Sequence, residues 1–180
     1  MKRLLTALIP LVLAPLSAFT ISLSEIQDNP QKYVRISEDA HAASYMDIDT
    51  IKSIRYNPPY YTLQCRVILI SYNSNRIMDF TNTFNYDYTK NLETRYLAYR
   101  SSHPSYTPDQ RFDLAMADVE KESGVTFNTS NRSIYNFEGK FLYDSPQTSA
   151  KKAMFGSNVY ICADLVFKKY YGIDFTAGME

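Results

Sequence analysis

The sequence has 180 residues, of which 45% are hydrophobic, 14% aromatic and 21% charged, a composition typical of one ordered globular domain. Nineteen basic residues balance nineteen acidic ones, so the chain lacks the positive field that nucleic-acid binding requires. Five glycines are present, and neither GxGxxG nor GxxxxGK[ST] occurs. Composition thus excludes a disordered chain and argues against a nucleic-acid or phosphate-loop protein.

The first 18 residues have the features of a secretory signal peptide. Met1-Lys2-Arg3 supplies positive charge, and the apolar run 4–16 is shorter than the roughly 20 residues that span a membrane. Ala18 is a small residue at the expected cleavage point, and no cysteine follows to take a lipid anchor. We therefore expect an exported single α+β domain of residues 19–180, with a net charge of about −2 and no transmembrane segment. Its predicted location is secreted, periplasmic or cell-surface.

The first half of the mature chain is predicted to be antiparallel sheet. Between residues 31 and 99 the apolar residues recur with period two, in runs separated by Asn, Ser and Pro clusters. Short connections of this kind favour a meander. The predicted strands are 32–36, 44–51, 60–72, 78–88 and 92–99. On the third strand, the side chains expected to face the core are Tyr61, Leu63, Cys65, Val67 and Leu69.

The second half is predicted to contain two helices and a hairpin. Thr107, Pro108 and Gln110 form a helix start with a capping box, and we expect that helix to end near Ser123 and Gly124. Residues 133–137 and 140–143 flank Glu138-Gly139 as a hairpin. A final helix begins at Ser157 or Asn158 and ends at Tyr171 before Gly172; it is apolar on most sides and must be covered. The predicted fold is α+β, with this helix packed across one face of the meander.

The two cysteines are expected to meet in the core. Cys65 lies on the apolar face of its strand, and Cys162 lies on the apolar stripe of the final helix. In an exported chain with two cysteines, a disulfide is the default expectation. The loop of about 97 residues would contribute roughly 4 to 5 kcal/mol in the chain-entropy model. Two buried free thiols or a catalytic cysteine are the alternatives.

No set of residues points to a catalytic or metal centre, so we predict a protein that is not an enzyme and that needs no cofactor. His41 and His103 form neither an HxH nor an HExxH pair, and His103 with Asp109 or Asp113 lacks a GxSxG serine. Asp47 and Asp49 alternate on one strand, where they are either solvent-facing or ligands for calcium.

Tyrosine is the residue type that favours a binding role. The chain has 16 Tyr, 10 Phe and no Trp, and tyrosine is enriched on protein-binding surfaces. The tyrosines of interest are Tyr56, Tyr60, Tyr61, Tyr72, Tyr86, Tyr88, Tyr96 and Tyr99. We expect most of these rings to pack on the sheet and a subset to meet a partner.

Three segments resemble the bacterial surface-adhesin protein E family. Residues 44–52, SYMDIDTIK, resemble its YxDxxSI strand; residues 133–140 resemble its late hairpin, and residues 166–172 its closing helix, which ends in Tyr-Gly. The resemblance implies a small exported domain with an antiparallel sheet, a C-terminal helix packed across it and a disulfide tying the two. It also implies binding of host proteins such as vitronectin, laminin and plasminogen. This sequence differs in lacking the lipid-attachment cysteine.

The function expected from the sequence is that of an exported, non-catalytic binding or cell-envelope interaction module, adhesin-like in character. Its partner is expected to be a protein, either a host matrix protein or an envelope component, and the binding residues are not identified. One alternative is a periplasmic small-ligand or calcium-dependent sensor domain that uses Asp47 and Asp49. The third is a hydrolase.

Overall fold

The computed structural model describes residues 21–176, and the predicted signal peptide lies outside them. The strands are β1 Tyr33–Glu38, β2 Ala42–Asn57, β3 Tyr60–Ser71, β4 Arg76–Asp87, β5 Val125–Asn136, β6 Phe141–Ser145 and β7 Lys151–Lys152. The helices are α1 Leu23–Asp28, α2 Leu92–Ser102, α3 Pro108–Lys121 and α4 Asn158–Tyr171. All strand pairs are antiparallel, in the order β1 to β6, and β7 pairs with β5. The predicted α+β meander with a C-terminal helix across one face is confirmed.

The centre of the sheet is regular, and its first long strand is not. The pairing of β3 with β4 runs without interruption from Tyr60 opposite Asp87 to Ser71 opposite Arg76. In β2, by contrast, the register with β3 shifts twice, after Asp47 and after Ser53. Such bulges bend a strand and re-aim its side chains. The sequence pattern predicted β2 only as residues 44–51, although the strand continues to Asn57.

One face of the sheet, which we call the helix face, packs against α4. Leu63, Cys65 and Val67 of β3 are buried there, as predicted, together with Phe84 of β4 and Phe167 of α4. α4 begins at the predicted cap Ser157 and ends at Gly172, whose φ of 77° is a left-handed conformation that glycine adopts without strain. The hydrophobic stripe of α4 and the alternating residues of the sheet thus form the main core.

The opposite face carries a second core that the sequence analysis did not predict. Ile68 and Ile70 alternate with the helix-face residues of β3, yet they are fully buried. α1 covers them, with Ile26 in the same cluster as Tyr33 of β1. Ser22 caps α1 by accepting a hydrogen bond from the Glu25 backbone N–H. Part of the face that seemed open in the sequence pattern is therefore closed by a six-residue helix.

The predicted strand 92–99 is wrong, because this segment forms α2. Asn91 caps the helix by accepting from the Thr94 backbone N–H, and Glu93 lies in the first turn, where a negative charge suits the helix dipole. These local signals outweigh the strand preference of the aromatic residues. α2 pairs with α3, and the capping box predicted for α3 at Thr107 and Gln110 is confirmed.

The predicted disulfide bond is not formed in this structure. Cys65 and Cys162 are both free and buried, and they lie 4.3 Å apart. The prediction was right that both residues enter the same core and that they meet between β3 and α4. The expectation that a bond ties the helix to the sheet is not met by the structure.

Candidate functional site

Five tyrosines gather at one end of the helix face, and we call this group the tyrosine patch. Its members are Tyr56 and Tyr61 of the β2–β3 hairpin, Tyr88 after β4, and Tyr170 and Tyr171 of the last turn of α4. The patch joins three separate parts of the chain. Within it, exposed and half-buried rings are linked by edge-to-face and tilted contacts.

The hairpin brings the first two members of the patch together. Tyr56 and Tyr61 are directly opposite each other across the β2–β3 pair. Their ring centroids are 5.6 Å apart with planes at 72°, an edge-to-face geometry that aromatic pairs prefer. Cross-strand aromatic pairs of this kind stabilise a hairpin by a few tenths of a kcal/mol up to about 1 kcal/mol.

The last turn of α4 completes the patch by placing Tyr171 against the two tyrosines of the hairpin. The Tyr171 ring lies 5.3 Å from that of Tyr61 and 6.0 Å from that of Tyr56. Beneath them, the buried ring of Phe167 contacts Tyr61 at 5.5 Å and Tyr88 at 6.0 Å. Phe167 therefore anchors the patch to the main core, so the outer rings rest on a packed layer.

Exposure separates the outer members of the patch from the inner ones. Tyr56 is 68% exposed and Tyr170 is 46% exposed, whereas Tyr61, Tyr88 and Tyr171 are half-buried. Burial raises the pKa of Tyr61 and of Tyr171 above the ordinary tyrosine value. Tyrosine hydroxyls are protonated at neutral pH even without this rise, so both keep a donor as well as an acceptor function.

The structure distributes the other tyrosines of the predicted set elsewhere. Tyr86 is in the core, where its hydroxyl donates to the Ala163 carbonyl at 2.8 Å. Tyr72 lies on the opposite face and donates to Glu38. Tyr96 and Tyr99 belong to α2, and the Tyr99 hydroxyl donates to Asp118. Tyr60 is exposed beside the Arg55 guanidinium, 6.0 Å from its ring.

The sequence analysis missed Tyr170 and Tyr171 as candidates. It described the end of α4 only as a helix terminus and as part of the family resemblance. A signal for the two missed residues was present, since consecutive tyrosines in the last turn of an apolar helix direct one ring to the core and one to solvent.

Asp47 and Asp49 do not form an open acidic site. Asp47 is 1% exposed, with Arg66 Nη1 at 3.5 Å and Lys32 Nζ at 3.8 Å from its carboxylate, while Asp49 is exposed and donates its backbone N–H to Asp47. Arg66 binds Asp79 through two hydrogen bonds of 2.7 Å. Burial raises the pKa of Asp47, and the two cations oppose that rise. The solvent-facing position expected for Asp47 is therefore wrong.

The surroundings of the cysteine pair argue against a catalytic role. Contact with Cys65 and burial raise the pKa of the Cys162 thiol well above its ordinary value. Because the thiolate is the reactive form, such a thiol is a poor nucleophile at neutral pH.

The histidines lie apart from each other and from the carboxylates proposed to accompany them. His41 is exposed and its Nδ1 lies 3.3 Å from Asn73 Oδ1. His103 ends α2 between the rings of Tyr99 and Tyr106, and its Nδ1 lies 2.9 Å from Ser102 Oγ. Among residues 21–176, neither ring has a hydrogen bond or ion pair with Asp109 or Asp113.

Two further features of residues 21–176 bear on the possible functions. No group of three or more His, Cys, Asp or Glu side chains there is arranged to hold a metal ion. None of its helices combines the length and the apolar character that crossing a membrane requires. Comparisons with protein-family models, with curated proteins and with solved structures found no match. The resemblance to the surface-adhesin protein E family stays a prediction.

Proposed function

We propose that this protein is an exported, non-catalytic binding module of the bacterial cell envelope, adhesin-like, that binds another protein through its tyrosine patch. The observation that carries the proposal is Tyr56, a tyrosine 68% exposed on top of packed aromatic rings. Tyrosine dominates many protein interfaces because its ring offers apolar contact area and its hydroxyl a hydrogen bond.

The support beneath the patch favours binding over incidental exposure. Tyr56 contacts Tyr61 and Tyr171, which themselves rest on Phe167. A ring held in this way has less rotamer freedom to lose when a partner binds, and preorganisation of this kind raises affinity. An isolated exposed tyrosine on a loop would lack this advantage.

Export is the second part of the proposal, and the cysteines support it. Two cysteines brought to 4.3 Å in one core are suited to oxidation outside the cytoplasm. We expect them to bond in the exported protein, which would tie α4 to β3 below the tyrosine patch. The location of the protein would then be periplasmic, secreted or cell-surface.

Binding to host matrix proteins tests the partner class. The purified protein is passed over immobilised vitronectin, laminin and plasminogen, and the equilibrium response is measured by surface plasmon resonance. We expect saturable binding to at least one of the three and a loss of about tenfold or more in affinity for Tyr56→Ala, as for a central interface tyrosine.

Tyr143→Ala is the matched control. Tyr143 is 55% exposed on the edge strand β6, so the substitution removes a similarly exposed ring from a different part of the sheet. We expect it to leave the affinity unchanged. No saturable binding to any of the three proteins, or equal losses for the two variants, contradicts the proposal.

A further inference from the structure

A cavity of about 350 Å³ lies between the helix face and the first turns of α4, away from the tyrosine patch. Its walls are mainly apolar and include Val67, Leu69, Phe80, Phe127 and Val159. The volume is at the lower end of the range for small-molecule pockets, which are typically about 300 to 1,000 Å³. The space therefore suits a small apolar molecule.

The charge of the lining distinguishes this cavity from an ordinary packing defect. Arg132 of β5 is the one charged residue among those that line it, and no Asp or Glu contributes to its walls in the described residues. Within residues 21–176, no carboxylate comes within 4.0 Å of the Arg132 guanidinium; the contact it makes is from Nη2 to Met78 Sδ, at 3.4 Å. A half-buried guanidinium without a carboxylate partner is complementary to an anion.

A buried amide supplies a second polar feature. Asn82 is 3% exposed, and its Oδ1 accepts a hydrogen bond of 2.8 Å from Thr129 Oγ1. No acceptor among the described residues takes a hydrogen bond from its amide nitrogen, and the side chain lines the cavity. The amide N–H₂ is thus free to donate to an oxygen atom of a molecule bound in the cavity.

From these features we infer that the cavity binds an aliphatic monocarboxylic acid. Arg132 pairs with the carboxylate, the Asn82 amide offers a neutral donor to an oxygen, and the alkyl chain lies along Val67, Phe80 and Val159. A neutral apolar ligand would leave the guanidinium unpaired, and a compact inorganic anion would leave the apolar walls unfilled. The ligand class is thus fixed by the combination of one cation with apolar walls.

Chain length gives the first test. Hexanoate, octanoate and decanoate are titrated into the purified protein below their micellar concentrations, and heats of binding are measured by calorimetry. Burial of a methylene group is worth about 0.8 kcal/mol, so we expect affinity to rise roughly fourfold for each added methylene until the cavity is full. Affinity independent of chain length, or no binding of any of the three acids, overturns the inference.

The carboxylate is tested with decanol and with Arg132→Gln. We expect decanol to bind the wild-type protein about tenfold or more weakly than decanoate, and Arg132→Gln to weaken decanoate by a similar factor. Arg76→Gln is the matched control, because Arg76 is a half-buried arginine of the neighbouring strand β4 that does not line the cavity. Equal binding of decanol and decanoate, or equal effects of the two arginine variants, overturns the assignment.

Methyl NMR locates the ligand. Decanoate should shift the methyl signals of Val67, Leu69 and Val159 and leave those of Ile68 and Ile70, on the opposite face, in place. Val159→Phe narrows the cavity and should weaken decanoate binding, and a melting curve checks that the variant is folded. Unchanged affinity in the folded variant would also contradict the proposed site. Shifts confined to residues outside the cavity would contradict the proposed site, even if the affinities follow chain length.

Discussion

On the helix face of the sheet, Leu63 and Phe84 pack with Phe167 in a core of aliphatic and aromatic side chains that contains no charged residue. On the opposite face, Asp47 is buried and Arg66 is half-buried, close to Ile68 of the second core. The two faces therefore differ in what stabilises them. Helix-face burial is nondirectional and insensitive to pH, whereas the opposite face depends on pH and loses stability when one member of its charge cluster is removed.

Oxidation of the cysteine pair, on the helix face, should change the free energy of unfolding more than any of the substitutions below. If Cys65 and Cys162 bond as proposed, reduction should lower the free energy of unfolding by about 4 to 5 kcal/mol, because the bond closes a loop of about 97 residues. Urea unfolding with and without reductant measures the difference, and Cys162→Ala should be insensitive to reductant. Thiol titration of the denatured, unreduced protein is decisive: two free thiols would refute the bond.

Truncation of the central ring of the helix face should have a comparable effect. Phe167 is 1% exposed and contacts Tyr61, Tyr86, Tyr88, Tyr171 and Phe175. We expect Phe167→Ala to cost about 3 to 5 kcal/mol in urea unfolding. Ile161→Ala, on the exposed side of the same helix, should cost well under half of that. Similar losses for both would show that α4 contributes by its presence rather than by this contact.

On the opposite face, the matching experiment removes one charge from the buried cluster. Arg66→Met leaves Asp79 without its guanidinium partner and leaves Asp47 with Lys32 alone, at 3.8 Å. Removing one partner of a buried charge cluster typically costs about 3 kcal/mol or more. Arg35→Met breaks an exposed ion pair with Glu38 and should cost less than about 1 kcal/mol. Both losses are measured by denaturant unfolding, and equal losses in the free energy of unfolding for the two variants would contradict this distinction.

The pH dependence of stability that arises from Asp47 should be the smallest of these effects. Burial raises the pKa of Asp47 in the folded protein, against the opposing influence of Lys32 and Arg66. A raised carboxyl pKa means that the folded state holds the proton more tightly than the unfolded chain. The stability from this group is then complete below about pH 4 and is lost as pH rises through the folded pKa.

Asp47→Asn cannot ionise, so it does not lose stability as Asp47 does when the pH rises. The melting temperature of the variant should therefore increase relative to that of the wild-type protein between about pH 3 and pH 7. Asp28→Asn, at an exposed position, is the control and should follow the wild-type trend. A gain that runs in the opposite direction would show that the ion pairs outweigh burial at Asp47.

Local sequence patterns predicted the elements whose signals are local. The capping box at Thr107, the end of α4 at Gly172 and the alternation along β4 are each encoded in a few adjacent residues, and the structure has all three. Helix α2 was mistaken for a strand because its aromatic residues favour β structure, while its helical signal resides in the cap at Asn91.

Features that depend on tertiary contacts could not be predicted in this way. Ile68 is buried because α1 covers part of the second face, and Asp47 lies at a bulge of β2. Ser22 caps α1, but six residues are too few for the hydrophobic periodicity that marks a longer helix, and the bulge leaves no signal in the alternation of residues. The first part of β5 was missed because its outward residues, Thr126, Asn128 and Ser130, are polar types common in loops. Most of the fold was therefore predictable, whereas the tyrosine patch required the helix end and the hairpin to be placed together.

The helices α2 and α3 stand between two strands that are neighbours in the sheet. The chain leaves the sheet after Asp87, forms a helical pair with its own small core of Leu92, Ala115 and Val119, and returns at Val125 to pair with β4. Contacts among β1 to β4 are local in sequence, so we expect them to form first, and the addition of β5 must then close this longer loop. We therefore expect the pair α2 and α3 to shorten the distance that the chain must close when β5 joins the β1–β4 meander during folding.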